Sequence, residues 1–376
     1  VVRPVDLPTP SLLLDLPVLC NNLATMGRRM AEHGIALRPH LKTAKSAEVA
    51  MLATEGQSGG ITVSTVAEAL AFAGHGFKDI TYAVGIVPGK LEPLAPLLAK
   101  GVKITLLTDN AAMARAVTDK AAALGVVFDV MLEIDTGGHR AGVLPDSAEL
   151  LEVGRILHEG PGTRLAGVLT HAGHSYHCRS RDEIKTVAWA EREGLVHAAE
   201  RLRAAGLPCP VVSAGSTPTA MCGEDYSGIT EMRPGVYMFM DVHQLLLGVC
   251  SAQDLALSVL ATVIGHNRPA DKLLIDAGAL ALSKDVSANE LMADIGYGVV
   301  CDAATARPIA NLFVTDVSQE HGMCAVTDDT LWDRLPVGSK VRIMPNHACI
   351  TAACHEAYHV VDHGEVIDKW KRFGGW

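Results

Sequence analysis

Between about residue 35 and residue 235, a short apolar or β-branched run repeatedly gives way to a longer stretch rich in Ala, Leu and Glu. The runs are IALRPH, GGITVST, DITYAVG, VKITLLTD, FDVMLEID, LAGVLTH, PVVSAGS and ITEMRPG. Between them lie stretches such as AEALAFAGHG, AAMARAVTDKAAALG and AEREGLVHAAERLRAAG, each of which closes on a glycine suited to a helix C-terminus. Strands that alternate with helices in this way make a parallel sheet covered on both faces, and a repeat of eight predicts a (β/α)8 TIM barrel. A doubly wound sheet is the second choice. It is weakened because no G-x-G-x-x-G follows the first strand.

After about residue 240 the texture changes. LALSVLATVIGH, KLLIDAGALAL, KVRIMPNHACIT and YHVVDHGEVIDKW are β-rich and separated by turns. The expected organisation is a barrel over residues 13–239 and a C-terminal β domain over 240–376, to which residues 1–12 add a strand. A chain of 376 residues is long enough for two cores.

Bulk chemistry narrows the partners. A formal net charge of −10 and a pI near 5.9 argue against nucleic acid or an anionic membrane surface. No apolar run approaches the roughly 18 residues of a membrane span, and prolines interrupt the N-terminal stretch where a signal peptide needs continuity. Nine scattered cysteines without a C-x-x-C pair fit reduced thiols, so a cytoplasmic protein is expected.

In a (β/α)8 barrel the chemistry lies at the carboxyl ends of the strands. Those ends carry Lys42, Ser64, Gly85, Asp109, the TGGHR loop to Arg140, His171 with AGHSY to Tyr176, SAGSTPT, and RPGVY. One such residue alone is an ordinary cap or turn; their convergence on a single face is harder to dismiss. The seventh and eighth strand ends are where barrels commonly hold a phosphate, here through Ser216, Thr217, Gly235 and Val236. A phosphate site and a lysine on one face point to pyridoxal phosphate, bonded to the amine as a Schiff base. Arg233 is then available to face the pyridine nitrogen.

A second constellation is PNHACITAACHEAYH. His347 and Cys349 are two apart, so on a strand both side chains share a side, and imidazole with thiolate is a good donor pair for Zn²⁺. His355 and His359, four apart, would instead suit one face of a helix. Two protein ligands leave coordination positions open, which is the mark of a catalytic ion.

Taken together, RPHLKTAK, EIDTGGHRAGV, THAGHSY, SAGSTPT, RPGVY, DIGYG, QEHG and PNHAC resemble the fold-type III pyridoxal phosphate enzymes of the D-serine dehydratase and D-threonine aldolase group. The resemblance runs from about residue 8 to the C-terminal GGW. It implies an alanine racemase-like barrel joined to a β domain, working as a homodimer. It implies pyridoxal 5'-phosphate on Lys42, with Lys45 a neighbour, and Arg140, His171 and Tyr176 among the groups around the cofactor. It places a divalent metal on His347 and Cys349, with Zn²⁺ first and Mn²⁺, Co²⁺ or Mg²⁺ as alternatives. The implied activity is dehydration of a D-3-hydroxy amino acid, such as D-threo-3-hydroxyaspartate or D-serine, to a 2-oxo acid and ammonia. Two other activities stay open: retro-aldol cleavage to glycine and an aldehyde, and a non-enzymatic cofactor carrier. For a second substrate carboxylate the available cations are Arg140, His174, His177 and His321.

Overall fold

The structure is a computed structural model and describes residues 2–58 and 60–376. The chain starts with β1 (Ser11–Asp15) and α1 (Leu16–Glu32). Then β2 (Ala36–Leu37), β3 (Ile61–Val63), β4 (Asp79–Gly85), β5 (Lys103–Thr108), β6 (Phe128–Glu133), β7 (Thr163–Leu169), β8 (Val211–Ala214) and β9 (Glu231–Met232) follow in turn. Between them come α2 (Ala47–Thr54), α3 (Val66–Gly74), α4 (Ala95–Ala99), α5 (Ala111–Ala123), α6 (Ala148–Glu159), α7 (Arg181–Ala204) and α8 (Thr217–Cys222). Each of the eight apolar runs overlaps one of these strands; Gly59, at the start of GGITVST, lies outside the described residues.

The eight strands pair in parallel in the order β2-β9-β8-β7-β6-β5-β4-β3. The two ends of that order meet beyond Pro39, where Leu41 donates its N–H to Thr62 O (2.8 Å) and Thr62 to Pro39 O (2.9 Å). The ring is thereby closed, and the barrel expectation holds. Burial on both faces explains why the strands read as continuous apolar runs: every residue of β6, FDVMLE, is buried. The covering helices show the matching 3.6 period. In α5 the buried positions are Ala114, Val117, Thr118 and Ala121, and Asn110 caps the helix by accepting from Met113 N.

One polar chain crosses the barrel interior. Arg38 donates to Asp79 (2.8 Å) and to Glu231 Oε2 (2.8 Å), and Glu231 Oε1 accepts from Ser213 Oγ (2.6 Å). Ser213 Oγ in turn accepts from Arg233, whose other terminal nitrogen donates to Thr170 O. Arg38 is paired with two carboxylates and Arg233 is hydrogen-bonded to Ser213 and Thr170, which lowers the cost of burying both.

The chain divides into two compact units, Thr25–Gly235 with Gly375–Trp376, and Val1–Ala24 with Val236–Gly374. The second holds β10 (Leu257–Asn267), β11 (Lys272–Ile275), β12 (Gly298–Asp302), β13 (Pro308–Val317), β14 (Gly322–Ala325), β15 (Lys340–Pro345), β16 (Ala357–Asp362) and β17 (Glu365–Lys371). Its short helices are α9 (Val242–Leu246), α10 (Ala279–Leu282), α11 (Thr330–Arg334) and α12 (Ala348–Ala353). Strands β10, β11, β14, β13, β12 and β15 close on themselves through antiparallel pairs, and β1, β16 and β17 extend the sheet from β10. Leu12, Leu13 and Leu14 of β1 are buried there. No helix among the described residues is long and apolar enough to cross a membrane.

Candidate active site

The carboxyl ends of the barrel strands open into a cavity of about 320 Å³, lined by His40, Lys42, Ser64, Ala83, Val84, Gly85, Glu133, Arg140, Ala141, Leu169, His171 and Arg233. Lys42, Arg140, His171 and Arg233 are site candidates on sequence grounds, and the structure brings them together. Lys45 does not line this cavity. Its amine lies 3.1 Å from Oε1 of the buried Glu68.

Two imidazoles flank the lysine, His40 buried and His171 half-buried. His171 donates from Nδ1 to Gly215 O (2.8 Å), which leaves Nε2 as the bare nitrogen. Burial, then the charge of Lys42, push its pKa down to about 3; His40 is held well below its ordinary value for the same two reasons, in the same order. Both rings are therefore neutral at pH 7. Glu133, which also lines the cavity, has its pKa raised, first by burial, against the pull of Arg140 at 3.9 Å.

The phosphate-type loops are built as a unit. Ser216 caps α8: its hydroxyl accepts from Thr219 N (3.2 Å), while Thr219 Oγ1 accepts from Ser216 N (3.1 Å). Ser216 Oγ also meets Ser175 Oγ at 2.8 Å. Thr217 is fully buried as the first residue of α8. From α7 the buried Glu191 accepts from Ala172 N (3.1 Å) and Gly215 N (3.0 Å), tying the ends of the sixth and seventh barrel strands to one carboxylate. Gly235 cannot be exchanged freely, since a Cβ there would lie 2.9 Å from Thr43 Oγ1 and 3.0 Å from His40 O. Val236, next in the chain, is buried. The nitrogen Arg233 Nε is buried without a hydrogen-bond partner. An orphaned donor on the wall, a hydroxyl-capped helix start and a cradle that a methyl would fill are what a phosphorylated heteroaromatic ring requires.

Tyr176 stands apart from this cavity, in the turn Gly173–His177, with its ring centroid 6.3 Å from that of His171. Of the four cations considered for a second carboxylate, Arg140 alone lines the cavity among the described residues. Sequence reading missed His40 and Glu133 as lining groups. The available signal was a charge at the end of an apolar strand for Glu133, and an imidazole two residues before the lysine for His40.

His347 and Cys349 lie in the other unit, and their setting corrects the strand expectation. Strand β15 ends at Pro345, His347 is the N-cap of α12, and Cys349 is in that helix's first turn. His355 and His359 do not share a helix face: His355 follows α12 and bonds Ala281 O through Nε2 (2.9 Å), while His359 is in β16. His347 Nδ1 is 2.9 Å from Asp285 Oδ2. Burial disfavours the imidazolium, but Asp285, Cys349 and Asp241 outweigh it and push the His347 pKa up to about 11. A ring that holds a proton this firmly between anionic groups has the donor chemistry for a divalent cation in the proton's place. Among the described residues no group of three or more His, Cys, Asp or Glu side chains is gathered as a ready-made metal site.

A closed parallel barrel with a lysine and neutral histidines at its rim, followed in the chain by an antiparallel sheet, is the architecture of the alanine racemase class. The N-terminal domain of alanine racemase matches residues 14–243, and a putative serine dehydratase domain matches residues 256–361. The D-threo-3-hydroxyaspartate dehydratase of Delftia sp. (strain HT23) is 44% identical over 99% of both chains. Its solved structure superimposes with a TM-score of 0.97 over 100% of each chain, and a cysteine-to-alanine variant of it is described in the metal-free form. A D-serine dehydratase of Dictyostelium discoideum is 32% identical over 99% of this chain and 98% of its own. A D-threonine aldolase of Arthrobacter sp is 30% identical over 96% and 91%. The chain belongs to this alanine racemase-like family, in the branch that carries the serine dehydratase-type second domain.

Proposed function

We propose that the chain is a pyridoxal 5'-phosphate- and metal-dependent dehydratase, converting a D-3-hydroxy amino acid to a 2-oxo acid and ammonia, in the cytoplasm and as a homodimer. D-threo-3-hydroxyaspartate is the leading substrate and D-serine the second. The observation that carries this reading is the 44% identity, end to end, with a dehydratase of that first substrate. The aldolase relative stands further off, at 30%.

Lys42 would bond the cofactor, Ser216, Thr217 and the Gly235–Val236 peptide would hold its phosphate, and Arg233 Nε would serve its ring. When bound, pyridoxal phosphate supplies the electron sink that makes the substrate's α-proton acidic. His347 and Cys349 would hold the divalent ion, with Zn²⁺ favoured by the soft thiolate. Such an ion supplies Lewis acidity to a departing hydroxyl.

The chain's own groups then have definite tasks. Lys42 is the base that takes the α-proton, and a base works only while its amine is neutral. His40 and His171, neutral themselves, add no charge to the rim beyond those of Lys42, Arg140 and Arg233. Arg140, an exposed cation of the cavity, would receive a substrate carboxylate, with Glu133 beside it. Tyr176 is retained as a neighbour of His171 rather than a lining group.

Product analysis tests the assignment. Purified protein given D-serine, D-threonine and both diastereomers of D-3-hydroxyaspartate should release ammonia and a 2-oxo acid in equal amounts, fastest from D-threo-3-hydroxyaspartate. Glycine with an aldehyde would make it an aldolase; cofactor spectral changes without any product would make it a carrier.

A further inference from the structure

The segment before His347 and the segment from Ser283 to Ser287 are bound together more tightly than a surface turn requires. Asn346 Nδ2 donates to Asp285 O (3.2 Å) and to Gly296 O (2.6 Å). Thr351 Oγ1 donates to Leu282 O (2.7 Å), which anchors α12 to the same stretch. The start of α12 is fixed separately, because Ala348 N donates to Oδ2 of the buried Asp241 (2.9 Å). The backbone on both sides of His347 is therefore held before its ring is considered.

The ring bonds two side chains, Asp285 and Cys349. Asp285 uses its two oxygens differently: Oδ1 accepts from Ser287 N (2.9 Å) and from Ser287 Oγ, and Oδ2 faces His347 Nδ1 at 2.9 Å. Ser287 Oγ in addition lies 3.3 Å from His243 Nδ1. With Oδ1 engaged by its own turn, the carboxylate cannot rotate away without giving up two hydrogen bonds. An ionised carboxylate has no proton to give, so the bond requires the hydrogen on Nδ1. Nε2 carries the ring's other proton, and a metal ion that displaced that proton would find its lone pair on Nε2.

We propose that Asp285 is the positioning residue of the metal site, holding His347 by Nδ1 so that Nε2 is the nitrogen presented to the ion. This rests on the reading that His347 and Cys349 hold a divalent metal. Asp285 touches neither metal nor substrate; it acts by fixing the tautomer and plane of the ring and by raising its basicity as a ligand. Asn346 and Ser287 hold Asp285 in turn.

The test is zinc affinity, measured by competition with a chromogenic chelator, on wild type, His347→Ala, Asp285→Ala and Asp285→Asn. Pyridoxal phosphate affinity and circular dichroism are recorded on each. Asp285→Ala is expected to weaken zinc binding by roughly 10–100-fold with cofactor affinity unchanged. Asp285→Asn, whose carbonyl still accepts from Nδ1–H, should recover most of that loss, which a merely structural role would not predict. Wild-type zinc affinity in Asp285→Ala, together with loss in His347→Ala, overturns the role of Asp285 and leaves the metal site standing. Wild-type affinity in His347→Ala overturns the site reading itself. If Asp285→Ala does not fold, wild type decides: nitrogen-15 spectra of its histidines in the zinc-loaded protein should show His347 protonated at Nδ1 and bound through Nε2. Zinc on Nδ1 would contradict the proposal.

Discussion

Lys42 and Lys45 stand three residues apart and meet different surroundings. Lys42 lines the cavity beside two neutral imidazoles, whereas Lys45, in left-handed backbone with φ of 47°, is committed to the buried carboxylate of Glu68. Exchanging their roles would break an ion pair of which both members are largely removed from water. Borohydride reduction of the cofactor-loaded protein, followed by peptide mapping, should therefore place the pyridoxyl label on Lys42. Lys42→Ala should lose the label. A label on Lys45, or on the exposed Lys284 of the other unit, would contradict the assignment. Lys42 was legible in sequence because a basic cluster at the end of an apolar run is conspicuous. His40 was not, since Pro39 reads as the strand's end while the Thr62 bridge carries pairing past it. Type and spacing mark the His347 and Cys349 pair, but the sequence pattern reads as strand through both residues. Pro345 ends that strand, and the alanine-rich ACITAA turns into a helix.

At the scale of elements, the eight barrel strands were readable because parallel strands covered on both faces cannot tolerate polar interruptions. Short helices were not. In KLLIDAGALAL the strand stops at Ile275 and Ala279–Leu282 is helical, and four residues carry too little periodicity to announce themselves. Glu191 was readable in principle, since it falls on the buried stripe of α7 with Ile184, Ala188 and Leu195. An acid on that stripe signals a group held for its hydrogen bonds, here to the two strand-end loops. The junction of Gly235 with the His40–Thr43 segment gives a direct test of how tightly those elements are fitted. Gly235→Ala must move the Thr43 hydroxyl or the His40 carbonyl, and overpacking of this kind costs about 1–3 kcal/mol. Spectroscopic titration should show pyridoxal phosphate affinity lowered by roughly tenfold or more, since each 1.4 kcal/mol is a factor of ten. Unchanged affinity would mean that the cofactor does not depend on this junction.

For the whole molecule, chain order separates two kinds of chemistry. Lys42 and the hydroxyl-bearing loops belong to Thr25–Gly235, and His347 with Cys349 belongs to the unit that contains Val236–Gly374. The change to β-rich texture after the barrel runs signals a separate β domain, and β10 to β17, joined by β1, form its sheet. The central claim is that this protein eliminates water with the help of a metal ion, and that the ion is not needed to hold the cofactor. The direct measurement is the rate of ammonia release from D-threo-3-hydroxyaspartate, before and after removal of metal with a chelator, with the cofactor's absorbance followed in the same sample. The account predicts that the absorbance stays nearly intact while ammonia release falls by several powers of ten, because Lewis-acid assistance is worth several kcal/mol and each roughly 1.4 kcal/mol is tenfold. Re-addition of Zn²⁺ should restore it. Ammonia released at the full rate by the metal-free protein would contradict the account.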